Sequence, residues 1–307
     1  MGHLTALVNE YESTSYRVRF PSGTERVNLA GIVDRPKVWH PWKDAGRTRL
    51  RPVVVYSHCF TCNKDFKATV KISRALARYG IAVLRYDMTG LGGSEGDFST
   101  TNFTTNLRDL VAAIRFANEE LGPVTALVGH SFGGIASLVT AAQSFQSDQA
   151  RQSDHDGLLA NLRFVATLAA PSDTHHLASL LSRMNPAIET EGQGKVTIGG
   201  IEWTIRRQML EDFRRHNVTD LLPQVACPVL LMHSPVDQTV GIDHALRMMS
   251  LIQTDRSADA STITPVSLMA LPDADHLLAK HPQDLTFVSQ ILAAWCHRFL
   301  ADDRTSG

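Results

Sequence analysis

The chain has 307 residues, of which 43% are hydrophobic and 20% charged, and its formal net charge is −1. This composition supports a large buried core in one or two domains. The near-neutral charge and the lack of a Lys/Arg tract argue against nucleic acid or an anionic membrane as the main partner. No apolar run in the sequence has the length needed to span a bilayer.

The N-terminal sequence and the cysteines bear on the cellular compartment. MGHLTALVNEYES lacks the basic segment and apolar segment of a secretory signal. Four cysteines are present, Cys59, Cys62, Cys227 and Cys296. We therefore expect a cytoplasmic protein with reduced thiols, as a monomer or a homodimer.

Apolar runs alternate with helical patterns along the chain. Strands are predicted at residues 16–20, 27–33, 52–56, 81–86, 124–128, 164–169, 228–233 and 266–270, and helices at 67–79, 106–121, 135–142, 206–216, 243–251 and 285–300. The first two strands predict an antiparallel hairpin at a sheet edge, and residues 34–51 and 144–157 predict loops. Short turns between the other elements predict a doubly wound, mostly parallel sheet in a single domain over residues 1–307.

Residues 172–222 break this rhythm. A connection between neighbouring parallel strands needs only a dozen or so residues, and this one is much longer. Gly199 and Gly200 separate two alternating segments, a pattern typical of a two-residue hairpin. We expect an inserted cap over the carboxyl edge of the sheet.

The sequence Gly129-His130-Ser131-Phe132-Gly133 follows an apolar strand and precedes a small-residue helix. It matches G-x-S-x-G, the nucleophile elbow of α/β-hydrolases. So tight a turn holds the central serine in strained backbone geometry at a helix N-terminus, where backbone N–H groups favour negative charge. Ser131 is the candidate nucleophile.

A serine nucleophile needs a base, and the base needs a carboxylate that fixes its tautomer. Polar residues just after each parallel strand are the candidates, because sites form beyond the carboxyl ends of the strands. His276, after the last strand, is the candidate base, and Asp237, after the preceding strand, is its partner. The competing carboxylates are Asp173, Asp273 and Asp275. His130 is expected to point away from the serine and to have a packing role.

Acyl transfer also needs N–H donors aimed at the developing oxyanion. One is expected from the backbone of Phe132, directly after the nucleophile. The other is expected from Phe60, in the loop after the strand at residues 52–56.

Two further motifs have other interpretations. The glycine-rich stretch at residues 90–96 fits neither G-x-G-x-x-G nor a Walker A pattern, so we interpret it as a structural turn with Asp87 bonding its amides. Cys59-x-x-Cys62 lacks a second Cys/His pair with zinc spacing, so we do not expect it to bind a metal. Packing beside the oxyanion loop is the favoured role, with oxidative control as the alternative. No metal or cofactor is expected.

Five segments together resemble a known family. They are 58–65, 84–96, 129–134, 232–237 and 273–278, and they are similar to the α/β-hydrolase half of bifunctional hydrolase/OsmC-type proteins. The block HCFTC also resembles the His-Gly-Phe-Thr-Gly block of feruloyl/cinnamoyl-type esterases, whose Phe amide serves the oxyanion hole, although Cys59 stands here for the glycine. The resemblance implies the α/β-hydrolase fold and supports the role of Phe60. The fused relatives continue into a peroxidase-like domain, and that activity is not carried over.

The residues and the resemblance together predict a serine hydrolase that cleaves small-molecule carboxylic esters through an acyl-enzyme. Trp203 and Met209 in the cap are expected to form an apolar acyl pocket. One alternative is a thioesterase or small-amide hydrolase with the same machinery. Another is a non-catalytic ligand-binding or redox-responsive partner of an OsmC-type protein.

Overall fold

The computed structural model describes residues 11–23, 27–40, 50–147, 157–253 and 264–301. Its strands are β1 (Ser13–Pro21), β2 (Asn28–Pro36), β3 (Val53–Ser57), β4 (Ala82–Tyr86), β5 (Ala126–His130), β6 (Phe164–Leu168), β7 (Gln193–Ile198), β8 (Ile201–Arg206), β9 (Val229–His233) and β10 (Val266–Ala270). Its α-helices are α1 (Lys67–Arg78), α2 (Phe103–Glu120), α3 (Phe132–Ser147), α4 (His175–Met184), α5 (Ala187–Thr190), α6 (Arg207–Arg215), α7 (Val218–Leu221), α8 (Ile242–Ile252) and α9 (Pro282–Ala301).

Eight of these strands form one sheet in the order β1-β2-β4-β3-β5-β6-β9-β10. The hairpin of β1 and β2 is antiparallel, and β2 pairs with β4 in antiparallel orientation. The six strands β4, β3, β5, β6, β9 and β10 pair in parallel with their neighbours in the sheet. The predicted mostly parallel sheet of the α/β-hydrolase fold is confirmed, and so is the hairpin at its edge.

The inner strands are buried on both faces because helices cover the sheet from both sides. Along β3, Val53 and Val55 pack into one core and Val54 and Tyr56 into the other. Helices α1 and α9 cover the second core, whereas α2, α3 and α8 cover the first. Continuous β-branched and apolar runs are what such double burial requires.

A buried ion pair ties the edge hairpin to the parallel sheet. The Nε–H of Arg85, on β4, donates to Asp34 Oδ2, on β2, at 2.7 Å, and both side chains are 1% exposed. Arg85 Nη1 donates to the Lys64 carbonyl at 2.6 Å and to Asp65 Oδ1 at 3.0 Å. The buried guanidinium is thus paired and hydrogen-bonded, as burial of a charge requires.

Between β6 and β9 the chain leaves the main sheet. Helices α4 to α7 lie in this stretch, and β7 pairs with β8 as a separate antiparallel hairpin through Gly199 and Gly200. Both glycines have positive φ, 60° and 79°, which a two-residue hairpin turn of type I′ demands. The predicted hairpin is confirmed; the single domain over 1–307 with a cap at 172–222 stays a prediction.

Several helix boundaries differ from the sequence-based expectation, and the start of α2 has a local reason. Helix α2 begins at Phe103, three residues before the predicted start, because Asn102 and Thr105 form a reciprocal capping box. Helix α3 continues to Ser147, so the loop predicted from residue 144 begins later; most of it lies outside the described residues. In the described part of the chain, none of the helices has the combination of length and apolar character that crossing a membrane requires.

Candidate active site

Ser131 lies in the turn between β5 and α3 with a φ of 52°, in the left-handed region that non-glycine residues seldom adopt. The flanking glycines allow the tight crossing. A Cβ on Gly129 would come within 2.1 Å of the Gly133 carbonyl oxygen, and one on Gly133 would come within 2.3 Å of the Ser57 carbonyl oxygen. The strand, the turn and the helix therefore meet so closely that only glycine fits two residues before and two residues after the serine.

Three distant residues of the chain meet at this turn. His276 Nε2 lies 3.0 Å from Ser131 Oγ, and His276 Nδ1 lies 2.8 Å from Asp237 Oδ2. Asp237 follows β9 and His276 follows β10, so both stand at the carboxyl edge of neighbouring parallel strands. The serine hydroxyl can donate to Nε2 while Nδ1–H donates to the carboxylate, which is the arrangement of a general base with its orienting acid.

The loop after β9 holds the Asp237 carboxylate in one orientation. Its second oxygen, Oδ1, accepts the N–H groups of Thr239 at 2.8 Å and Val240 at 3.0 Å. Burial raises the pKa of Asp237, but the hydrogen bond and charge of His276 and these two amides outweigh it and hold the pKa below its ordinary value. Asp237 is therefore ionised at neutral pH.

Two of the three competing carboxylates are engaged elsewhere, and the third is exposed. Asp275 Oδ1 accepts the N–H groups of Ala279 and Lys280, at 2.8 and 2.7 Å. Asp173 Oδ1 accepts the His176 N–H at 3.0 Å, and Asp273 is exposed. Of the four candidate acids, the structure brings only Asp237 to His276.

His130, next to Ser131 in the chain, is hydrogen-bonded to the backbone of His276. Its Nε2–H donates to the His276 carbonyl oxygen at 2.7 Å, and its Nδ1 is buried without a partner among the described residues. Burial, reinforced by the charge of His276, lowers the pKa of His130 to about 4. The ring stays neutral and fixes the loop that carries His276, as the expected packing role implies.

Two backbone N–H groups, those of Phe60 and Phe132, are the expected oxyanion donors. Among the described residues, neither the Phe60 nor the Phe132 N–H donates a hydrogen bond. Phe132 opens α3, where the first N–H groups have no intrahelical partner. Phe60 lies in the loop after β3, and the rings of the two residues are 5.5 Å apart at their centroids. In the described part of the chain, both expected donors are therefore without an intramolecular acceptor.

The cysteines of this loop differ from the expectation. Cys59 and Cys62 are joined by a disulfide, with their Cα atoms 5.2 Å apart, so the expectation of four reduced thiols is wrong for this pair. A turn with a backbone hydrogen bond from the Cys62 N–H to the Cys59 carbonyl, at 3.1 Å, brings them within the range a disulfide spans. Cys227 and Cys296 are free and buried. The cytoplasmic location stays a prediction.

Aromatic side chains cluster above the elbow. The ring of Phe60 lies 5.5 Å from that of Phe98 and 6.2 Å from that of Phe213, and Phe98 packs at 4.9 Å against Trp203 of β8. The buried Trp203 Nε1 has no acceptor among the described residues. Phe213 and Trp203, which lie between β6 and β9, thus give the surroundings of the Phe60 loop an apolar, aromatic character.

The glycine-rich stretch after β4 is a structural turn, as interpreted from its sequence. Asp87 Oδ2 accepts the Gly93 N–H at 2.7 Å and Oδ1 accepts the Lys64 N–H at 2.6 Å, while Lys64 Nζ lies 2.8 Å from Oδ2. In the ranges that the structure describes, no group of three or more His, Cys, Asp or Glu side chains is arranged to hold a metal ion.

Three histidines with supporting positions were not assigned from the sequence. His58 Nδ1–H donates to the Cys59 carbonyl at 2.8 Å. His233 Nε2 lies 2.8 Å from the Val240 carbonyl, and His176 Nε2 lies 3.2 Å from the Thr239 carbonyl. Both histidines therefore hold the loop after β9 that carries Asp237. His58 directly follows β3 and His233 ends β9, so both lie at the carboxyl edge of the sheet. That position in the sequence could have indicated a role near the site. His176 comes from α4, and no local pattern places it there.

The class of α/β-hydrolases is defined by a mostly parallel sheet and a serine in the elbow turn, with a carboxylate and a histidine in the loops after later strands. The chain belongs to the alpha/beta hydrolase family, whose model matches residues 45–287. This match covers most of the sheet and all three site residues.

Solved structures agree with this assignment. The esterase domain of a Rhodothermus marinus protein is 33% identical, with a TM-score of 0.64 and coverage of 94% of this chain and 99% of that one. Est1E from Butyrivibrio proteoclasticus with ferulic acid bound is 18% identical, with a TM-score of 0.66 and coverage of 92% and 99%. The second match shows the fold alone.

A curated relative is more distant. Lysophosphatidylserine lipase ABHD12 of Danio rerio is 21% identical over 258 residues, covering 82% of this chain. The chain spans only 61% of that protein's length. Together, the family and these relatives support hydrolase activity.

Proposed function

We propose that the protein is a serine esterase that cleaves carboxylic esters of small molecules through an acyl-enzyme. In this proposal Ser131 is the nucleophile, His276 the general base and acid, and Asp237 the residue that orients His276. The backbone N–H groups of Phe60 and Phe132 form the oxyanion hole. The esterase domain and the lipase among the similar proteins bear names that agree with ester cleavage.

One observation carries the proposal: an unbroken hydrogen-bond chain from Ser131 Oγ through His276 to Asp237, ending on the Thr239 and Val240 amides. Binding a ligand does not need such a chain. Activating an alcohol does, since serine at its ordinary pKa is a poor nucleophile.

Acylation follows from this geometry. His276 Nε2 takes the proton from Ser131 as Oγ attacks the ester carbonyl carbon, and Nδ1–H remains bonded to the Asp237 carboxylate. The carbonyl oxygen becomes an oxyanion, which the Phe60 and Phe132 N–H groups stabilise; one such donor is typically worth about 10² to 10³ in rate. The tetrahedral intermediate collapses, and His276 gives its proton to the departing alcohol.

Deacylation repeats these steps with water. His276 removes a proton from water as the oxygen attacks the acyl carbon, the same two amides hold the second oxyanion, and collapse returns the proton to Ser131. The carboxylic acid is released. The machinery needs no cofactor at either stage.

The surroundings of the oxyanion loop favour an apolar or aromatic acyl group. Phe98 and Trp203 extend the ring cluster away from Phe60, and the fully buried Met209 belongs to the same apolar core. We propose that this wall accepts short to medium acyl or aryl groups. A p-nitrophenyl ester series of increasing chain length measures that preference as kcat/KM.

A fluorophosphonate probe, which phosphonylates activated serines, tests the proposal. We expect labelling of the wild type at Ser131, found by peptide mass spectrometry, and none in Ser131→Ala. A matched control is Ser172→Ala: Ser172 is also buried, and its hydroxyl lies 2.9 Å from His244 Nδ1, but it is no part of the proposed machinery. This variant should label like the wild type.

The alternative class is a folded protein that binds ligands without turning them over. If folded wild type is not labelled and p-nitrophenyl acetate is not hydrolysed, the esterase proposal fails and the binding alternative is favoured.

A further inference from the structure

The loop that carries the Phe60 N–H has an unusual backbone. Cys59, Phe60, Thr61 and Cys62 form a turn closed by the hydrogen bond from the Cys62 N–H to the Cys59 carbonyl. Thr61, the third residue of this turn, has a φ of 58°. Glycine or asparagine normally takes this position, and for a β-branched residue the conformation is an outlier that persists only where its surroundings enforce it.

The orientation of the Phe60 N–H is set by the peptide group it belongs to. In a trans peptide the N–H of one residue points opposite to the C=O of the residue before it. The Cys59 carbonyl accepts two hydrogen bonds, from the Cys62 N–H at 3.1 Å and from His58 Nδ1–H at 2.8 Å. The Phe60 N–H must therefore point to the other side of the turn, where none of the residues that the structure describes accepts its hydrogen.

The His58 ring is itself fixed. The Met88 N–H donates to His58 Nε2 at 3.2 Å, so the proton of the neutral ring is on Nδ1, where it meets the Cys59 carbonyl. The His58 side chain is 1% exposed. The loop also touches the elbow, because a Cβ on Gly133 would come within 2.6 Å of the His58 carbonyl oxygen. The turn is thus anchored on its N-terminal side.

On its C-terminal side the disulfide is the covalent restraint on the turn. It joins the first and the fourth residue and so holds Thr61 in its left-handed conformation. We propose that the Cys59–Cys62 disulfide positions the Phe60 N–H in the oxyanion hole, so that turnover depends on the redox state of this pair. The inference rests on the proposed esterase function and adds its regulation.

The redox step is a thiol–disulfide exchange with a dithiol. Cys59 is 4% exposed and Cys62 is partly exposed, so a thiolate of the dithiol reductant attacks Cys62 Sγ. The Sγ–Sγ bond breaks, and Cys59 leaves as a thiolate that takes up a proton. The second thiol of the reductant then displaces Cys62. The protein gains two electrons and two protons, and the dithiol becomes a cyclic disulfide.

Once reduced, the turn can relax at Thr61, and the Phe60 N–H moves relative to the position of the oxyanion. Loss of one donor costs about 10² to 10³ in rate. His58 continues to hold the Cys59 carbonyl, so we expect a partial effect, a fall in kcat of about tenfold or more with little change in KM. A group that acts only in the transition state gives this split, whereas general loss of structure does not.

The experiment compares the oxidised wild type, the wild type after dithiothreitol, and Cys62→Ser. Iodoacetamide followed by peptide mass spectrometry first establishes that Cys59 and Cys62 are protected before reduction. The kcat for p-nitrophenyl acetate and the affinity for a trifluoromethyl ketone, which forms a tetrahedral adduct with the serine, are expected to fall together. Reoxidation restores the wild type but not Cys62→Ser, and Cys227→Ala responds like the wild type.

A second variant tests the physical cause. Thr61→Gly places at the strained position a residue that adopts positive φ readily. We expect its kcat to change several-fold less than that of the wild type on reduction. Circular dichroism of each reduced sample checks that the fold is retained.

Three results would overturn the inference while the esterase function stands: both cysteines alkylated in the unreduced folded protein, a reduced wild type with unchanged kcat, or Thr61→Gly as sensitive to reduction as the wild type. If Ser131 is not labelled and no ester is hydrolysed in either redox state, the proposed function fails, and the inference fails with it.

Discussion

The substitution Asp237→Asn asks how strictly the protein controls the tautomer of its histidine. The carboxylate uses its two oxygens differently: Oδ1 accepts the N–H groups of Thr239 and Val240, and Oδ2 accepts His276 Nδ1–H. In the variant, the amide oxygen is needed by the two backbone donors. The amide NH₂ then faces Nδ1, the imidazole proton moves to Nε2, and His276 can no longer accept the proton of Ser131.

The magnitude follows from the alternative orientation. Turning the amide over would restore the productive tautomer, but it would leave the buried Val240 N–H and the part-buried Thr239 N–H facing an NH₂ group. Each such group costs about 1–3 kcal/mol, hence about 2–6 kcal/mol together. At 1.4 kcal/mol per factor of ten, the productive tautomer is depleted about 30-fold to 10⁴-fold, and kcat falls by the same factor.

The assay is steady-state hydrolysis of p-nitrophenyl acetate from pH 5 to pH 10, with unfolding curves that check the fold. Asp273→Asn is the matched control, because Asp273 is exposed and asparagine tolerates its φ of 60°. The control should keep the wild-type kcat. A loss of less than tenfold in Asp237→Asn would refute the reasoning, since two backbone donors would then not decide the amide orientation.

Three further predictions concern stability. The pKa of His130 is about 4 in the folded chain against an ordinary value of 6.5, so the free energy of unfolding should decrease as pH falls through this window; His130→Gln should reduce the slope, measured in urea, by up to about 1.4 kcal/mol per pH unit. Gly133→Ala should lower the free energy of unfolding by about 1–3 kcal/mol in the same assay, because its Cβ would meet the Ser57 carbonyl. Asp34→Asn should lower it by about 3–5 kcal/mol, because the buried Arg85 charge loses its partner.

Each of these has its own control and contrary result. An unchanged pH slope in His130→Gln would mean that the buried ring protonates as in the unfolded chain. Gly93→Ala meets its nearest neighbour, the Ala30 Cβ, only at 3.3 Å and should cost less than Gly133→Ala; equal losses would argue against the close crossing. Asp65 also pairs with Arg85, but its side chain is 59% exposed, so Asp65→Asn should cost under about 1 kcal/mol. A larger loss there than in Asp34→Asn would contradict the assignment of the buried partner.

The parallel sheet was predictable because double burial imposes a local pattern. The run at 53–56 has three β-branched residues followed by a tyrosine, and such a continuous run is typical of a strand covered on both faces. The meeting of Ser131, His276 and Asp237 followed from one further rule, that sites form at the carboxyl edge of parallel strands. The two hydrogen bonds of His276, to Ser131 and to Asp237, could be expected from the sequence, whereas the Thr239 and Val240 amides that hold Asp237 could not.

The rest depends on contacts that no local pattern encodes. Cys59-x-x-Cys62 is compatible with thiols, a metal or a disulfide, and no local pattern in the sequence decides among them. His176 lies on α4, which precedes β9 in the chain, yet it contacts the Thr239 carbonyl in the loop that follows β9. Packing between separate segments brings the two together. The earlier start of α2 was readable in principle from Asn102, which precedes Thr105 by the three residues of a capping box.

The left-handed backbone of Ser131 has a consequence for how this protein can change. A side chain at a φ of 52° costs on the order of 1 kcal/mol or more that glycine would avoid. Selection for a sturdier fold alone would therefore favour Ser131→Gly, which removes the hydroxyl. Keeping serine at the apex of the elbow therefore means that the fold is less stable than it would be with glycine there, so the hydroxyl is retained at a cost in stability.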